Sequence, residues 1–522
     1  MVHATCCKHP RMYRYKTPDF RALAAKYPST FGAFVRDDGG YEGKIDFHDA
    51  QAVRCLAETL LLDDFGIHAT FSEKNLCPMI LTRFSGARWY RLAYIALIHE
   101  LLESTLPTLC VLRDFQNLPL TWHVNGLDIG TGASAIYPLL GTRCFARWRF
   151  VAIDIDSHSL EHARQHVVHA NHVRTRIALV HVDENDEFVP ADINTKLAQE
   201  AIWSMQNHEL IHFTMCNPPF YTSQQEMLSL ARIKKTPANA VCHGTSSEMV
   251  TAGGELRFVQ RMIQQSLSDP RVVWWTCMLG KLSSVVQVAQ ELEPLSNERR
   301  IRAWGVHELP TGGGRTRRWV LLWTTKSGLR IPPSWSRATL PSSLKRHAPA
   351  SGERSGKVIK RGVAWTRKEL FELTMHVLDG LEGCSTYASA YQRFDSTHRL
   401  SCETDKQAAL GPKANMTSDT GTIDVILTKQ SWSRKARRAK LQVSEASTRY
   451  EATKVHSEPL LMARISVGER TATNEQGAPE TGLVMTVSWT YGIDAVKFES
   501  FATFLLAAVE KRVEDAVRTQ AQ

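Results

Sequence analysis

The sequence of 522 residues lacks a C-x-x-C pair, internal repeats and any long run of apolar residues. Its 11 cysteines are scattered, which argues against a disulfide scaffold and a zinc module and favours a reducing compartment. A membrane helix needs about 18 to 20 apolar residues, and the N-terminus mixes His, Cys, Pro and Arg instead of an apolar signal core. We therefore expect a soluble intracellular protein with no membrane partner.

The composition is that of a folded protein with a basic bias. Hydrophobic residues make up 43% and charged residues 22% of the chain, which excludes whole-chain disorder, collagen and coiled coils. The length accommodates two or three domains. The 63 Lys and Arg residues outnumber the 53 Asp and Glu residues, and the net charge of +10 suits a polyanionic partner.

The N-terminal segment interleaves basic and aromatic side chains. Cations contact phosphates and aromatic rings stack on unpaired bases, so this mixture suits irregular RNA. A solvated leader into a short helix over 19–27 is equally compatible with the segment. Amphipathic helices are predicted over 48–62 and 89–102.

Short apolar runs alternate with helical stretches from residue 126 onward. Such alternation predicts an α/β fold with a mostly parallel sheet and helices on both faces. The predicted strands are 126–129, 150–153, 177–180, 211–216, 272–278 and 319–323.

Shifts in composition divide the chain into segments. We predict an N-terminal helical region over 1–115, a sheet domain over 116–328, and a linker rich in Pro, Ser and Gly over 329–357. A smaller C-terminal unit follows over 358–522, with strands at 460–467 and 482–489. Its polar stretch, roughly 385–455, is predicted to be largely disordered.

The segment GLDIGTGASAIYPLLG predicts a cofactor cradle. Gly130 and Gly132 lie between a buried strand and a helix, where glycine lets a ligand approach the backbone closely. Asp128 precedes them, and a carboxylate there favours a cationic ligand over a pyrophosphate. Asp154 ends the next strand, at the offset where an acid binds ribose hydroxyls. The pattern indicates S-adenosylmethionine, although a strand-to-helix turn without a ligand has the same local sequence.

The tetrapeptide Asn217-Pro218-Pro219-Phe220 follows another predicted strand, so it faces the same edge of the sheet as the glycine loop. The prolines remove backbone donors and leave rigid carbonyl acceptors. With the Asn217 side-chain oxygen, the Pro218 carbonyl can accept both N–H bonds of a planar exocyclic amine, and Phe220 can stack on the ring. These residues are therefore candidates for catalysis on such an amine.

The chain resembles the family of adenine-N6 methyltransferases that act on U6 small nuclear RNA, whose bacterial relatives act on large-subunit ribosomal RNA. The similarity covers approximately 11–325. The matching blocks are RYKTPDFRALAAKYP, AVRCLAETLLLDDFG, GLDIGTGASAIYPLLG, CNPPF, EMVTAGGELRFVQRMIQQS, CMLGK and GRTRRWVLLW. The resemblance implies a class I S-adenosylmethionine-dependent methyltransferase, Rossmann-like, with an N-terminal helical extension and a smaller α+β C-terminal domain.

The resemblance also implies roles for individual residues. The implied cofactor contacts are Arg83, Gly130, Ser134, Asp154 and Asn217. The implied RNA contacts are Arg11, Arg14 and Lys16.

The implied reaction is methyl transfer from S-adenosylmethionine to an adenosine of a structured RNA, with U6 small nuclear RNA as the expected substrate and no metal. The target base must leave its stack to reach Asn217.

Two departures from the family pattern stand out. Residues 183–187 are acidic where relatives carry a Lys-bearing loop that gates the cofactor, so neither that contact nor a gating role is transferred. Asp154 replaces a Glu but keeps its charge.

The C-terminal unit resembles, more weakly, an additional RNA-binding domain of eukaryotic members. The expected location is therefore the nucleus, with the cytoplasm as the alternative, and the basic run at 434–440 is an import signal, an RNA contact or a solvated linker.

Other interpretations remain open. His158, His162 and His166 have a helical spacing that suits a metal, but no carboxylate or Cys of matching geometry accompanies them, so a polar helix face is favoured. The alternative functions are a ribosomal RNA adenine-N6 methyltransferase, a glutamine-N5 methyltransferase acting on protein, and an RNA-binding factor with a non-catalytic role.

Overall fold

A computed structural model gives the structure of the chain. It describes residues 19–36, 43–78, 90–115, 123–199, 209–223, 225–226, 245–309, 317–332, 340–345, 347, 353–355, 365–388, 422–433, 435–436, 459–473 and 479–520. These residues form two compact units. The first takes its residues from Met1–His99, Thr121–Lys326 and Arg337–Pro349, and the second from Glu100–Leu120, Ser327–Ser336 and Ala350–Gln522. The domain boundaries predicted from composition stay a prediction.

The N-terminal part of the chain is helical, as predicted. Its helices are α1 (Phe20–Lys26), α2 (Ala50–Phe65) and α3 (Tyr90–Phe115), with a 3-10 turn at Phe31–Phe34. Aspartates begin the first two helices: Asp19 accepts a hydrogen bond from the Ala22 amide, and Asp49 accepts from the Gln51 amide. Such side chains satisfy amide groups that have no partner within the helix.

The first unit contains a 7-stranded sheet. Its strands are β1 (Val124–Ile129), β2 (Trp148–Asp154), β3 (Ile177–His181), β4 (Ile211–Cys216), β5 (Val272–Leu279), β6 (Ala303–Leu309) and β7 (Arg318–Thr324). The order is β3-β2-β1-β4-β5-β7-β6. Strands β1 to β5 pair in parallel, whereas β7 is antiparallel to both β5 and β6. This doubly wound arrangement confirms the predicted class I methyltransferase fold.

Strand β6 is the element of this sheet that the sequence interpretation missed. The connection from β6 to β7 is short, and a short connection joins antiparallel strands because a parallel pair needs a crossover of a dozen or more residues. Strand β7 accordingly runs antiparallel to β6. It also pairs antiparallel with β5, so it lies between β5 and β6 in the sheet.

Helices connect the strands of the first unit. They are α4 (Ile136–Cys144), α5 (Ser157–Ala163) with a π-helical continuation at Arg164–His169, α6 (Ile193–Gln199), α7 (Ser246–Met249), α8 (Gly254–Ser266), α9 (Leu282–Asn297) and α10 (Ser342–Lys345). The core contains fully buried aromatic residues, among them Trp275 and Trp323, which stack at 6.2 Å between ring centroids.

The carboxyl ends of the parallel strands place the two sequence motifs at one edge of the sheet. Ile129 at the end of β1 lies in register with Ile153 of β2 on one side and with Cys216 of β4 on the other. The glycine loop, Asp154 and Asn217 directly follow or end these strands. This is the edge where open α/β sheets bind ligands.

The second unit contains a 5-stranded antiparallel sheet of order β8-β12-β11-β10-β9. Its strands are β8 (Glu353–Ser355), β9 (Cys384–Ala388), β10 (Thr422–Leu427), β11 (Leu461–Thr473) and β12 (Pro479–Tyr491). Two helices, α11 (Arg367–Asp379) and α12 (Ala495–Gln520), accompany the sheet. The strands predicted at 460–467 and 482–489 are confirmed within longer strands.

Two segments of this part of the chain contain elements that composition did not indicate. The stretch 385–455, predicted to be largely disordered, contains β10, which is buried and pairs on both sides with β9 and β11. Its short apolar run is stabilised by these long-range pairings, which local composition does not show. The predicted linker at 329–357 contains α10 and β8, and Leu344 of α10 packs in the core of the first unit.

Candidate active site

A cavity of about 380 Å³ lies at the carboxyl edge of the first sheet. Most of the residues predicted for cofactor and substrate binding line it. These are Gly130, Gly132, Ser134, Asp154, Asn217, Pro218 and Pro219. The glycine loop and the Asn-Pro-Pro bend therefore open into one space, as the sequence predicts. The contacts of these residues with ligands stay predictions.

The glycine loop leaves one side of the cavity free of side chains. Gly130 and Gly132 have φ angles of 71° and 62°, a left-handed conformation that favours glycine. A Cβ atom placed on Gly130 would meet no atom within 4 Å, so the space beside this backbone is open to a ligand. The amides of Gly130 and Thr131 donate to the Ile153 carbonyl, both at 3.0 Å, which holds the loop against β2.

The Asp154 carboxylate forms part of the cavity wall at the end of β2. Its Oδ2 accepts from the Gly132 amide at 2.7 Å, and its Oδ1 accepts from the Asp156 amide at 2.9 Å. Burial raises the pKa of Asp154, while the two amide bonds lower it. Each oxygen retains a second lone pair, so the carboxylate can accept further hydrogen bonds from hydroxyl groups in the cavity.

Asp128 does not occupy the position predicted for it. The side chain is 1% exposed and is absent from the residues that line the cavity, so it cannot face a cationic ligand there. Oδ2 instead accepts from the Thr131 hydroxyl at 2.7 Å, and Oδ1 has no hydrogen-bond partner among the described residues. Burial raises the pKa of Asp128 to about 7, and the bond from Thr131 opposes this shift. Asp128 therefore supports the loop from within the fold.

Phe220 lies next to the cavity but is not part of its lining. The half-buried ring packs beneath the guanidinium of Arg318, whose central carbon is 4.9 Å from the ring centroid. A Cβ atom on Gly280 would lie 2.9 Å from the ring, so only glycine leaves room for Phe220 at this point. The neighbouring Glu255 is buried and accepts from the amides of Gly280 and Lys281 at 2.7 and 2.9 Å, which fixes that backbone.

A second carboxylate fixes the chain beyond Phe220. Glu226 accepts from the amide and hydroxyl of Thr222 at 2.6 and 2.7 Å and from Lys281 Nζ at 2.8 Å. These bonds, led by the one from Lys281, lower the pKa of Glu226 to about 2. The Asn-Pro-Pro-Phe bend is therefore followed by an anchored segment.

Several residues of the cavity wall were not found by sequence reasoning. They are Leu76, Arg91, Tyr137, Ser159, Glu248, Thr251, Phe258 and Arg261. Tyr137 lies in the matching block around the glycine loop, and Glu248, Thr251, Phe258 and Arg261 lie in the matching block EMVTAGGELRFVQRMIQQS, but neither block by itself assigns them to the cavity. Leu76, Arg91 and Ser159 belong to no such block, so the sequence carries no local signal for them. Arg91 lies 5.5 Å from the centroid of the Tyr137 ring.

The acidic loop at 183–187 borders the same cavity through Asp183, Glu184, Asp186 and Glu187. Arg261 of α8 donates to the carbonyls of Glu184 and Asp186 at 3.2 and 3.4 Å. Its guanidinium also lies 5.0 Å from the Phe188 ring centroid. The loop is thus held by α8 at the edge of the cavity.

Some predicted residues lie outside the described part of the chain. They are Arg83, predicted for the cofactor, and Arg11, Arg14 and Lys16, predicted for RNA.

Of the histidine series, His162 Nδ1 lies 3.2 Å from the Ala133 carbonyl oxygen, and its ring centroid is 4.6 Å from that of His166. Within the described ranges, no group of three or more His, Cys, Asp and Glu side chains is arranged to hold a metal ion. No described helix has the length and apolar character needed to cross a membrane.

Comparison with known proteins matches residues 3–327 to an RNA methyltransferase family. The chain belongs to this RNA methyltransferase family. The predicted family is thereby confirmed, and the match includes both the glycine loop and the Asn-Pro-Pro-Phe bend.

Individual members of the RNA methyltransferase family are similar over part of their length. The U6 small nuclear RNA (adenine-(43)-N(6))-methyltransferase of Schizosaccharomyces pombe is 34% identical over 282 residues, which cover 54% of this chain and 62% of that protein. The RNA N(6)-adenosine-methyltransferase METTL16 of Homo sapiens is 33% identical over 327 residues, covering 61% of this chain and 50% of that protein. The chain thus spans between half and two thirds of the length of these relatives.

A solved structure is also similar to this chain. It is the catalytic domain of human METTL16 in complex with hairpin 1 of the MAT2A 3′UTR, with 30% sequence identity and a TM-score of 0.47. The similarity covers 61% of this chain and 94% of that one.

Proposed function

We propose that the chain transfers a methyl group from S-adenosylmethionine to N6 of an adenosine in a structured RNA, with U6 small nuclear RNA as the substrate. The observation that carries the proposal is the shared cavity: the glycine loop, Asp154 and the Asn-Pro-Pro bend all line it. Family membership supports the RNA as substrate class, and the names of the relatives support adenine N6 and U6 RNA.

The residues present fit S-adenosylmethionine. The open space beside Gly130 admits a ligand against the backbone, and Asp154 has free lone pairs for ribose hydroxyls. Ser134 and Asn217 add polar groups to the same wall. When bound, the cofactor supplies an electrophilic methyl group. The acidic character of the wall at Asp154 and Glu248 suits a ligand that carries positive charge.

The residues of the bend orient the acceptor amine. The Asn217 side-chain oxygen and the Pro218 carbonyl accept its two N–H groups, which aligns the nitrogen lone pair with the cavity. Two consecutive prolines keep the bend rigid, so little reorganisation accompanies the reaction. The adenosine must be unpaired and turned out of its stack, which favours a bulge or loop in a hairpin.

Phe220 provides the stacking surface for the target adenine. The Arg318 guanidinium already covers the ring at 4.9 Å. An adenine that stacks on the same face displaces Arg318, whereas one on the opposite face leaves it in place. In either case Gly280 and the anchored Thr222 restrict the position of the ring.

The proposal is tested by methylation of a U6-derived hairpin with a looped adenosine. We expect Asn217→Ala to lower kcat about 10²- to 10³-fold, the range found when one donor is removed from an oxyanion hole. Asn297→Ala, an exposed change at the end of α9, is the matched control and should leave activity unchanged. Unchanged kcat in Asn217→Ala would reject the mechanism.

The same assay separates the alternative functions. Methyl incorporation that survives ribonuclease treatment would indicate a protein substrate, and incorporation into ribosomal RNA in preference to the hairpin would indicate the ribosomal alternative. Rescue of a deletion strain by Asn217→Ala would indicate a non-catalytic RNA-binding role. We also propose a nuclear location, because the substrate named for the relatives is a small nuclear RNA; fluorescence imaging of the tagged chain tests it.

A further inference from the structure

The Glu248 carboxylate joins distant parts of the chain at the cavity wall. Its Oε2 accepts from the Leu76 amide at 3.0 Å, and from the amide and hydroxyl of Thr245 at 2.9 and 3.1 Å. Its Oε1 accepts a longer bond of 3.4 Å from Asn75 Nδ2. Both Glu248 and Leu76 line the cavity. Glu248 therefore makes the segment around Leu76 part of the wall.

Asn75 extends this connection to Asp154, the acid proposed to bind the ribose. Asn75 Nδ2 donates to Ser159 Oγ at 2.9 Å, and the Ser159 hydroxyl donates to Asp156 Oδ2 at 2.7 Å. The Asp156 amide donates to Asp154 Oδ1 at 2.9 Å, and Asp154 Oδ2 accepts from the Gly132 amide at 2.7 Å. A continuous series of hydrogen bonds thus runs from Asn75 to the glycine loop.

The series closes on itself at Glu248. A Cβ atom on Gly132 would lie 3.5 Å from Glu248 Oε1, so the carboxylate lies beside the glycine loop. Burial is the main cause of the raised pKa of Asp154, and the negative charge of Glu248 adds to it in the same direction. Within the cavity wall, Glu248 therefore bonds to Leu76 and lies beside Gly132.

A purely local role does not account for this arrangement. Thr245 precedes α7, and a Glu that bonds back to the residue before a helix is a common cap. Such a cap needs the bond from Thr245 alone. The bond from Leu76 crosses a sequence separation of 172 residues and serves the cavity instead.

We propose that Glu248 is a positioning residue for the methyl donor: it fastens Asn75 and Leu76 across the cavity and, through Ser159 and Asp156, fixes the orientation of Asp154. The inference rests on the proposed function, because it assigns Glu248 to the cofactor cavity. Its action requires hydrogen-bond acceptors. A Gln side chain retains one oxygen that can accept from Leu76 and Thr245, whereas Ala retains none.

The test is calorimetric binding of S-adenosylhomocysteine to the full chain. Glu248→Ala should weaken binding about tenfold or more, because charge-assisted bonds to backbone amides are lost. Glu248→Gln should restore affinity to within about threefold of the unsubstituted protein. In methylation assays, Glu248→Ala should raise KM for the donor while kcat at saturating donor changes little.

Glu58→Ala is the matched control. Glu58 accepts from the Phe71 amide at 2.7 Å and so anchors the same segment, but neither residue lines the cavity. We expect this variant to bind S-adenosylhomocysteine like the unsubstituted protein. Equal losses of affinity in Glu58→Ala and Glu248→Ala would overturn the inference, because they would indicate general loosening of the segment.

Other outcomes separate this inference from the proposed function. If the unsubstituted protein does not bind S-adenosylhomocysteine, the proposed function fails. If it binds and Glu248→Ala binds equally tightly, only the positioning role of Glu248 fails. Should Glu248→Ala not fold, Asn75→Ala removes the connection to Ser159 and leaves the carboxylate in place; a severalfold loss of affinity supports the inference, and an unchanged affinity overturns it.

Discussion

The buried Asp128 carboxyl carries out a supporting task beneath the glycine loop. It is 1% exposed and accepts a hydrogen bond from the Thr131 hydroxyl. Burial raises the pKa of Asp128 from 3.8 to about 7. Sequence reasoning placed an acid correctly before the glycines but assigned it to the ligand. The direction of a strand side chain relative to the loop above it depends on three-dimensional packing, which a motif does not encode.

The raised pKa of Asp128 predicts a pH-dependent stability. Between its unfolded and folded pKa values, the folded chain binds more protons than the unfolded chain, so this group stabilises the fold at low pH and the contribution is lost as pH rises through about 7. Asp128→Asn keeps an acceptor for Thr131 and does not ionise. We expect its melting temperature, relative to that of the unsubstituted protein, to increase from about pH 5 to about pH 8. A difference that is independent of pH would contradict this.

A substitution at Gly280 should affect catalysis on the hairpin but not the binding of S-adenosylhomocysteine. In Gly280→Ala the new Cβ would lie 2.9 Å from the Phe220 ring and force it to move. We expect kcat for the hairpin to fall about 10-fold or more because the base is misplaced, while affinity for S-adenosylhomocysteine is retained. Gly468→Ala is the control, since a Cβ there meets no atom within 4 Å. Equal kcat values for the two variants would contradict the role of Phe220.

At the scale of elements, the strand and loop pairs that form the cavity were predictable. The strand at GLDI, the glycines after it and the rigid Asn-Pro-Pro bend each have a local signature, and parallel pairing brings their ends together. The contacts of Glu248 and Arg261 were not predictable, because they join segments that are distant in the sequence. Strand β10 was missed for the same reason.

Strand β10 depends on its partner for stability. Asp424 of β10 accepts from Arg464 of β11 at 2.8 and 3.1 Å, and both side chains are largely buried. Asp424→Ala leaves a buried guanidinium without this carboxylate, which costs about 3 to 5 kcal/mol in comparable buried pairs. Hydrogen exchange of the full chain should show faster exchange in β10 and β11, with the first sheet unchanged. Unchanged protection of β10 would refute this.

In the molecule as a whole, the doubly wound sheet of the first unit carries the cavity at its carboxyl edge. The alternation of apolar runs was sufficient to predict the doubly wound sheet, and the two motifs were sufficient to predict that the glycine loop and the Asn-Pro-Pro bend meet at its carboxyl edge. Strand β6, the antiparallel placement of β7 between β5 and β6, and the small elements in the predicted linker required the three-dimensional structure.

A structure of the full chain bound to S-adenosylhomocysteine and a U6-derived hairpin tests whether the methyl donor and the target adenine meet in this cavity. We expect the sulfur of S-adenosylhomocysteine to lie beside the Gly130 loop, its ribose to contact Asp154, and an unstacked adenine to contact Asn217 and Pro218 through N6. An adenine bound elsewhere, or a product molecule outside this cavity, would contradict this expectation.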